Sequence, residues 1–427
     1  MRRELVRVGL AVMALSVWSL APAAEPDTFG AGQSLATLDS MALPGVGDQV
    51  KFTAADQFTY DDNLYRLPSA VADVASLIGP GSSRGDHLNS ATLGTNGQWV
   101  YGAQALGFLA NIADNRYSRN SDLDNVSGNA KAVLDWRAGR IWLGEVGADY
   151  SRSLAGAANS KFFARDLIDQ SEYFGTALLS IGQYWNLIGG VRYADSTHSA
   201  SVRSFEDNHK TTENFGIEYV SLSDDTGALE YRHTEGRFSQ GILVDDAPFN
   251  QDYVEDSERF LVKYQLSGDL LFDGSAGYLK RTYPESPVGS FAGNVWRATV
   301  SWQATAKTQV AFAGWRELGS YIDSESDYFV STGWSVSPTF NATNKIAMML
   351  TYSSTRQTYL ASNTSADAAS LAPGSRHDKR EFEEAVVTYT RRAVVVKLTL
   401  NLDHRESNQQ EFQYDDKLAS ASVAVKF

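Results

Sequence analysis

The chain contains no cysteine. Disulfides, thiolate nucleophiles and cysteine-held metals are thereby excluded. Histidine is scarce too: the six residues show no ligand-like spacing, so no zinc, haem or other cofactor is expected. There are only ten prolines in 427 residues and no linker of the usual composition, which argues against a string of small soluble domains. Basic residues are outnumbered 37 to 51, and a net charge of −14 has the wrong sign for a nucleic-acid partner. Beyond residue 24 no apolar run is long enough for a transmembrane helix.

What the chain has in quantity is aromatics and glycine: 20 Tyr, 20 Phe, 9 Trp and 34 Gly, a composition that fits one large strand-rich unit. Before that unit, Arg2, Arg3 and Arg7 form a basic start, residues 9–20 are uncharged, and Ala21-Pro22-Ala23 is a small-residue cleavage site. The expectation is a secretory signal peptide over residues 1–23. No cysteine follows the run, so a lipoprotein is excluded. Residues 24–49 are expected to form a periplasmic arm or a plug, and residues 50–427 a barrel.

Period-2 alternation recurs along 50–427. Val394, Val396, Leu398, Leu400 and Leu402 point one way, and Lys397, Thr399, Asn401 and Asp403 the other. Phe260, Val262, Tyr264 and Leu266 oppose Arg259, Lys263 and Gln265, and Trp296, Ala298, Val300 and Trp302 oppose Arg297, Thr299, Ser301 and Gln303. Marking every such segment gives eighteen strands, most of 10–15 residues, longer than the mean of soluble sheets. Short connections such as 182–183, 268–269 and 305–306 alternate with long ones such as 61–86, 153–170 and 354–378. Short periplasmic turns alternating with longer extracellular loops characterise a bacterial barrel. Trp99, Tyr101, Trp136, Trp142, Tyr184 and Trp185 cluster near the short turns, with Trp302 and Trp334 assigned to the same side, as an interfacial girdle would. The predicted fold is an all-β, transmembrane, antiparallel outer-membrane β-barrel of 18 strands, its outer face against lipid. Phe427 ends the chain on an alternating strand, and Val423, Val425 and Phe427 are expected to form an assembly signal read by the barrel assembly machinery.

If the apolar faces meet lipid, the opposite faces line a lumen. The candidate lining residues are Glu145, Asp149, Arg192, Glu218, Glu230, Arg232, Arg259, Lys263, Asp273, Arg281, Arg297, Glu384, Lys397, Asp403 and Arg405. Their mixed signs suit either a ladder of wall-stiffening ion pairs or a polar passage for a hydrated solute. Residues 354–378 are expected to fold inward or lie open, and residues 69–78 to form a short helix at the rim.

The first strand leaves through Asp61-Asp62-Asn63-Leu64-Tyr65-Arg66-Leu67-Pro68, following Gln57-Phe58-Thr59-Tyr60. This stretch resembles the opening of the EpsL-type exopolysaccharide-operon proteins, within the large β-barrel porin group. The resemblance implies an outer-membrane porin giving passage to secreted polysaccharide in a Wzx/Wzy-dependent pathway. It further implies a periplasmic polysaccharide export protein and an inner-membrane co-polymerase as partners. A porin for small nutrients or saccharides needs the same barrel and is the alternative reading. An enzyme is not expected, because the histidines lack a nucleophile elbow or carboxylate pair in recognisable context.

Overall fold

The computed structural model describes residues 49–244, 247–284, 290–320, 326–361 and 376–427. The expected signal peptide and, apart from Gln49, the expected arm lie outside the described residues, as does the middle of the 354–378 connection.

The strands are β1 (Gln49–Asp61), β2 (Asp86–Tyr101), β3 (Gln104–Tyr117), β4 (Asn125–Ala138), β5 (Trp142–Leu154), β6 (Leu167–Ile181) and β7 (Trp185–His198). There follow β8 (Asn208–Val220), β9 (Thr226–Phe238), the two short strands β10 (Ile242–Val244) and β11 (Ala247–Phe249), then β12 (Tyr253–Ser267) and β13 (Leu270–Thr282). The last are β14 (Phe291–Thr305), β15 (Thr308–Ser320), β16 (Ser326–Asn341), β17 (Ile346–Ala361), β18 (His377–Arg391), β19 (Val394–Ser407) and β20 (Tyr414–Lys426). β10 and β11 pair only with each other. The other eighteen form one antiparallel sheet in which each strand pairs with the next, β9 with β12, and β20 with β1. Closure leaves no unpaired edge, the condition for a sheet to cross hydrocarbon.

The alternation seen in the sequence becomes two faces. Leu398, Leu400, Leu93, Phe215, Leu229 and Phe260 are among the most exposed apolar side chains and all stand on the outer face. A soluble protein would bury them; a barrel turns them to lipid. The buried apolar clusters instead sit toward the long-loop end, around Tyr253, Tyr283, Phe291 and Tyr328, and around Tyr65, Leu67 and Leu123. At the seam, Phe52 and Phe427 exchange backbone hydrogen bonds of 2.8 and 2.9 Å and stack their rings at 6.2 Å.

Strand ends depart from expectation most clearly in β16 and β17, and β3 and β6 each extend four residues further toward the long-loop end. The turn expected at 338–340 lies beyond Asn341, because Pro338 sits within β16 rather than ending it. Pro338 opposes Val310, while the paired positions toward β17 pass from Val336 to Thr339. Trp334 is consequently a mid-strand residue on the outer face, not part of the girdle near the short turns. β17 also runs eight residues past Ser353, through a polar sequence that hides its alternation. The rim helix is shorter than the expected 69–78: α1 covers Val74–Ile78, with the Asp73 carboxylate accepting from the Ser76 amide at 3.1 Å.

A lumen narrowed by an inward strap

The inner face is polar and extensively paired. Lys131 and Asp149 are 3.7 Å apart across β4 and β5, and Arg192 of β7 reaches Glu172 of β6 at 2.5 Å. Glu145 stands opposite Asp135 and Thr176, and Glu218 accepts from Asn186 at 2.9 Å. Glu230 lies 3.0 Å from Arg232 and 4.0 Å from Arg259. Arg281 and Glu255 form a buried pair at 2.7 Å, and Arg297 and Glu317 form a half-buried one at 2.6 Å. Lys263 opposes Asp273, Glu384 opposes Thr351 and Asn401, and Lys397 opposes Thr388 and Ser422. Arg380 holds Asp403 at 2.8 Å, and Arg405 holds Asp378 at 2.8 Å. By register the fifteen candidate residues share the polar face of the sheet, and nine of them take part in ion pairs spread along the wall rather than gathered at one centre.

The connection between β5 and β6 turns inward across the long-loop mouth of the barrel. Residues 155–166 form a strap containing one short helix, α2 (Ala157–Ser160). Its tip reaches β19, with β4, β3, β2, β1 and β20 intervening by the shorter way round. There the guanidinium of Arg405 donates to the Ala158 carbonyl at 2.9 Å and to the Asn159 side-chain oxygen at 2.6 Å. Arg376 donates to the same Asn159 oxygen at 3.3 Å. Arg405 is itself held by Asp378, by Gln357 at 3.3 Å and by the Tyr359 hydroxyl at 3.2 Å, so the anchor is fixed to the wall before it meets the strap. At the strap's root, Asp166 pairs with Arg203 at 3.0 Å and accepts from the Ala200 amide at 2.9 Å.

The first external segment fills the space behind the strap. Tyr65 and Leu67 pack against Leu123, Leu154 and Phe163. Arg66 bridges Asp61 at 3.1 Å and Asp416 at 2.9 Å on the inner faces of β1 and β20. That pairing accounts for Asp61 and Asp416 in the one cluster of three potential metal ligands among the described residues, and the third member, Asp62, accepts from the Lys417 amide at 2.7 Å. Burial and the nearby Asp86 push the Tyr65 phenol up to about 12. The strap's Lys161 donates to the Arg66 carbonyl at 2.8 Å and lies over the rings of Phe412 and Tyr414.

Sequence parity reaches the strands but not the strap. Glu255, Glu317 and Asp378 share the inward parity of chosen neighbours and were accessible to the same rule. Asn159 and Lys161 lie in a connection without periodicity, and nothing in the sequence marks them as reaching the far wall. Gly81-Ser82-Ser83-Arg84-Gly85 matches a nucleophile-elbow pattern by spelling, but it lies in an external connection, and the Ser83 hydroxyl donates to the Gly85 carbonyl at 2.9 Å. An elbow needs a sharp strand-to-helix turn.

The closed sheet, apolar exterior and polar interior define an integral outer-membrane β-barrel. Residues 259–427 match the family model described as "Putative beta-barrel porin 2". No curated protein matches the chain. Among solved structures it is similar to OccK9 (OpdG) of Pseudomonas aeruginosa at 11% identity and a TM-score of 0.48, covering 89% of this chain and 98% of that one. It is also similar to OccK2 (OpdF) of Pseudomonas aeruginosa, solved in complex with glucuronate, at 10% identity and a TM-score of 0.48, with the same coverage. OpdO of the same organism gives 12% identity and a TM-score of 0.47, covering 89% and 97%. At such identities the likeness is one of barrel architecture.

The expected outlet for secreted exopolysaccharide is corrected by the course of the connection between β5 and β6. In this chain the strap and first external segment occupy the β1–β5 side of the bore, narrowing the way that a continuous polymer would need.

Proposed function

We propose that the barrel is a passive outer-membrane channel for small hydrophilic solutes of about saccharide size. The strap docked on Arg405 carries this reading, because it narrows a polar bore from one side without relying on the wall strands to bend. In this reading the solute passes between the strap and the wall formed by β7–β17, past Arg192, Arg232, Arg259, Arg297 and their carboxylate partners. A paired wall of both signs offers hydrogen bonds to hydroxyl groups and no single strong trap, and conduction requires that a solute can leave as readily as it enters. Val423, Val425 and Phe427 serve assembly: they stand outward at the β20 end, where β1 receives the strand.

Purified protein in planar bilayers tests the channel. Discrete ohmic steps are expected, with larger steps from a variant in which residues 156–164 are replaced by a short Gly-Ser link. Silence from both proteins, each properly folded by heat-modifiable migration, would overturn the channel reading.

A further inference from the structure

The strap's contact with the far wall has the build of a catch rather than of a permanent joint. Its polar grip is concentrated on one residue, Arg405, which meets Ala158 and Asn159, with a longer bond from Arg376. Beside this grip the strap inserts Lys161, whose described interactions include no carboxylate bond: its ammonium group meets the Arg66 carbonyl and two aromatic rings. Both Arg66 (φ 52°) and Lys161 (φ 49°) adopt the left-handed region, which is costly for a non-glycine residue and persists only while its surroundings hold it. A contact of this kind is closed by packing and opposed by backbone strain.

Resting on the channel reading above, we propose that the strap is a proton-linked gate: Asn159 and Ala158 close it on Arg405, and uptake of a proton by Lys161 favours its release.

The electrostatic surroundings have the required sign. The charged or titratable groups packed around Lys161 are Arg405 from β19, Arg376 and Asp378 at the start of β18, Arg66 with its partners Asp61 and Asp416, and the Tyr414 phenol from β20. Burial, then the guanidinium groups of Arg405, Arg376 and Arg66, pull the Lys161 ammonium down to about 7, with Asp378 opposing them. A lysine released into water titrates near 10.4. The docked strap therefore binds fewer protons than the released strap between those two values. Docking is most favourable in alkali and weakens as pH falls through that window. Below about 7 both states are protonated and the dependence ends. One proton permits at most about a tenfold change in the open-to-closed ratio per pH unit.

Single-channel recording at pH 9.5 and pH 6.5 tests the gate. The native chain should spend more time in its larger conductance state at pH 6.5. Lys161→Met keeps the packing on Phe412 and Tyr414 but cannot titrate, so its conductance should be low and equal at both values. Asn159→Leu removes the acceptor for Arg405 and should be open at both. Equal open fractions for the native chain at the two pH values would overturn the gate, as would an unchanged pH response in Lys161→Met. A pH-flat but conducting channel leaves the channel reading standing. Silence from every variant, including Asn159→Leu and the shortened strap, overturns both.

Discussion

At the scale of single residues, the wall is fitted by exchanges of bulk between facing positions. Gly236 faces Tyr253 across β9 and β12, Gly333 faces Trp315 across β15 and β16, and Gly147 faces Phe174 across β5 and β6. In each pair the aromatic ring lies where a Cβ on the glycine would stand. The ring covers the backbone that glycine leaves bare, a device known to stabilise strands. Read in sequence, such glycines look like weak points; paired, they are seats for rings. Gly236→Val should therefore destabilise the barrel by about 1–3 kcal/mol, the usual cost of overpacking. Gly189→Ala, where a Cβ would meet nothing within 4 Å, should be close to neutral. Thermal unfolding in detergent compares them, and equal losses would count against the ring-seat account. Facing is tested in the same way. Leu398 is 51% exposed on the outer face, and Ser420 stands inward at the neighbouring level. An arginine facing lipid near the midplane costs about 2–4 kcal/mol. Leu398→Arg should thus impair folding into bilayers far more than Ser420→Arg, and the reverse order would mean that the register is inverted.

At the scale of elements, the strands were legible because their physics is local. A two-residue period survives wherever one face meets lipid and the other water, as in β12, β14 and β19. It fades where both faces are polar, which is why the end of β17 was not visible, and at the start of β6 the adjacent apolar residues Leu167 and Ile168 break the alternation. Pro338 misled for a related reason: proline signals a break in most strands, yet one that needs no hydrogen-bond donor at its position can stay inside. The strap was not legible at all. Its position depends on Arg405, 246 residues from Asn159 in the chain, and no local pattern encodes that meeting. The final strand makes its own prediction. Phe427 stacks on Phe52 at the seam, and Val425 faces outward beside Ala54. Removing Phe427, or making Val425→Asp, should lower the yield of heat-modifiable barrel in the outer membrane. Full yield from both would remove the terminal strand's proposed role in assembly.

At the scale of the molecule, polarity is inverted relative to a soluble domain: apolar groups outside, ion pairs inside, and apolar clusters toward the long-loop end. Barrel type follows from this arrangement, and it was within reach of the sequence. What passes through was not, because it depends on how far the strap and first segment intrude. The resemblance in residues 57–68 pointed to a polymer outlet, but in the folded chain part of that very stretch is packing: Tyr65 and Leu67 are buried behind the strap, and Arg66 ties β1 to β20. Liposome swelling with sugars of graded size tests the central claim most directly. Monosaccharides and disaccharides should enter vesicles containing the native protein, entry should fall steeply for longer oligosaccharides, and shortening the strap should move that limit upward. Entry of large dextrans as fast as glucose, or no entry of glucose even with the strap shortened, would contradict a small-solute channel narrowed by residues 155–166.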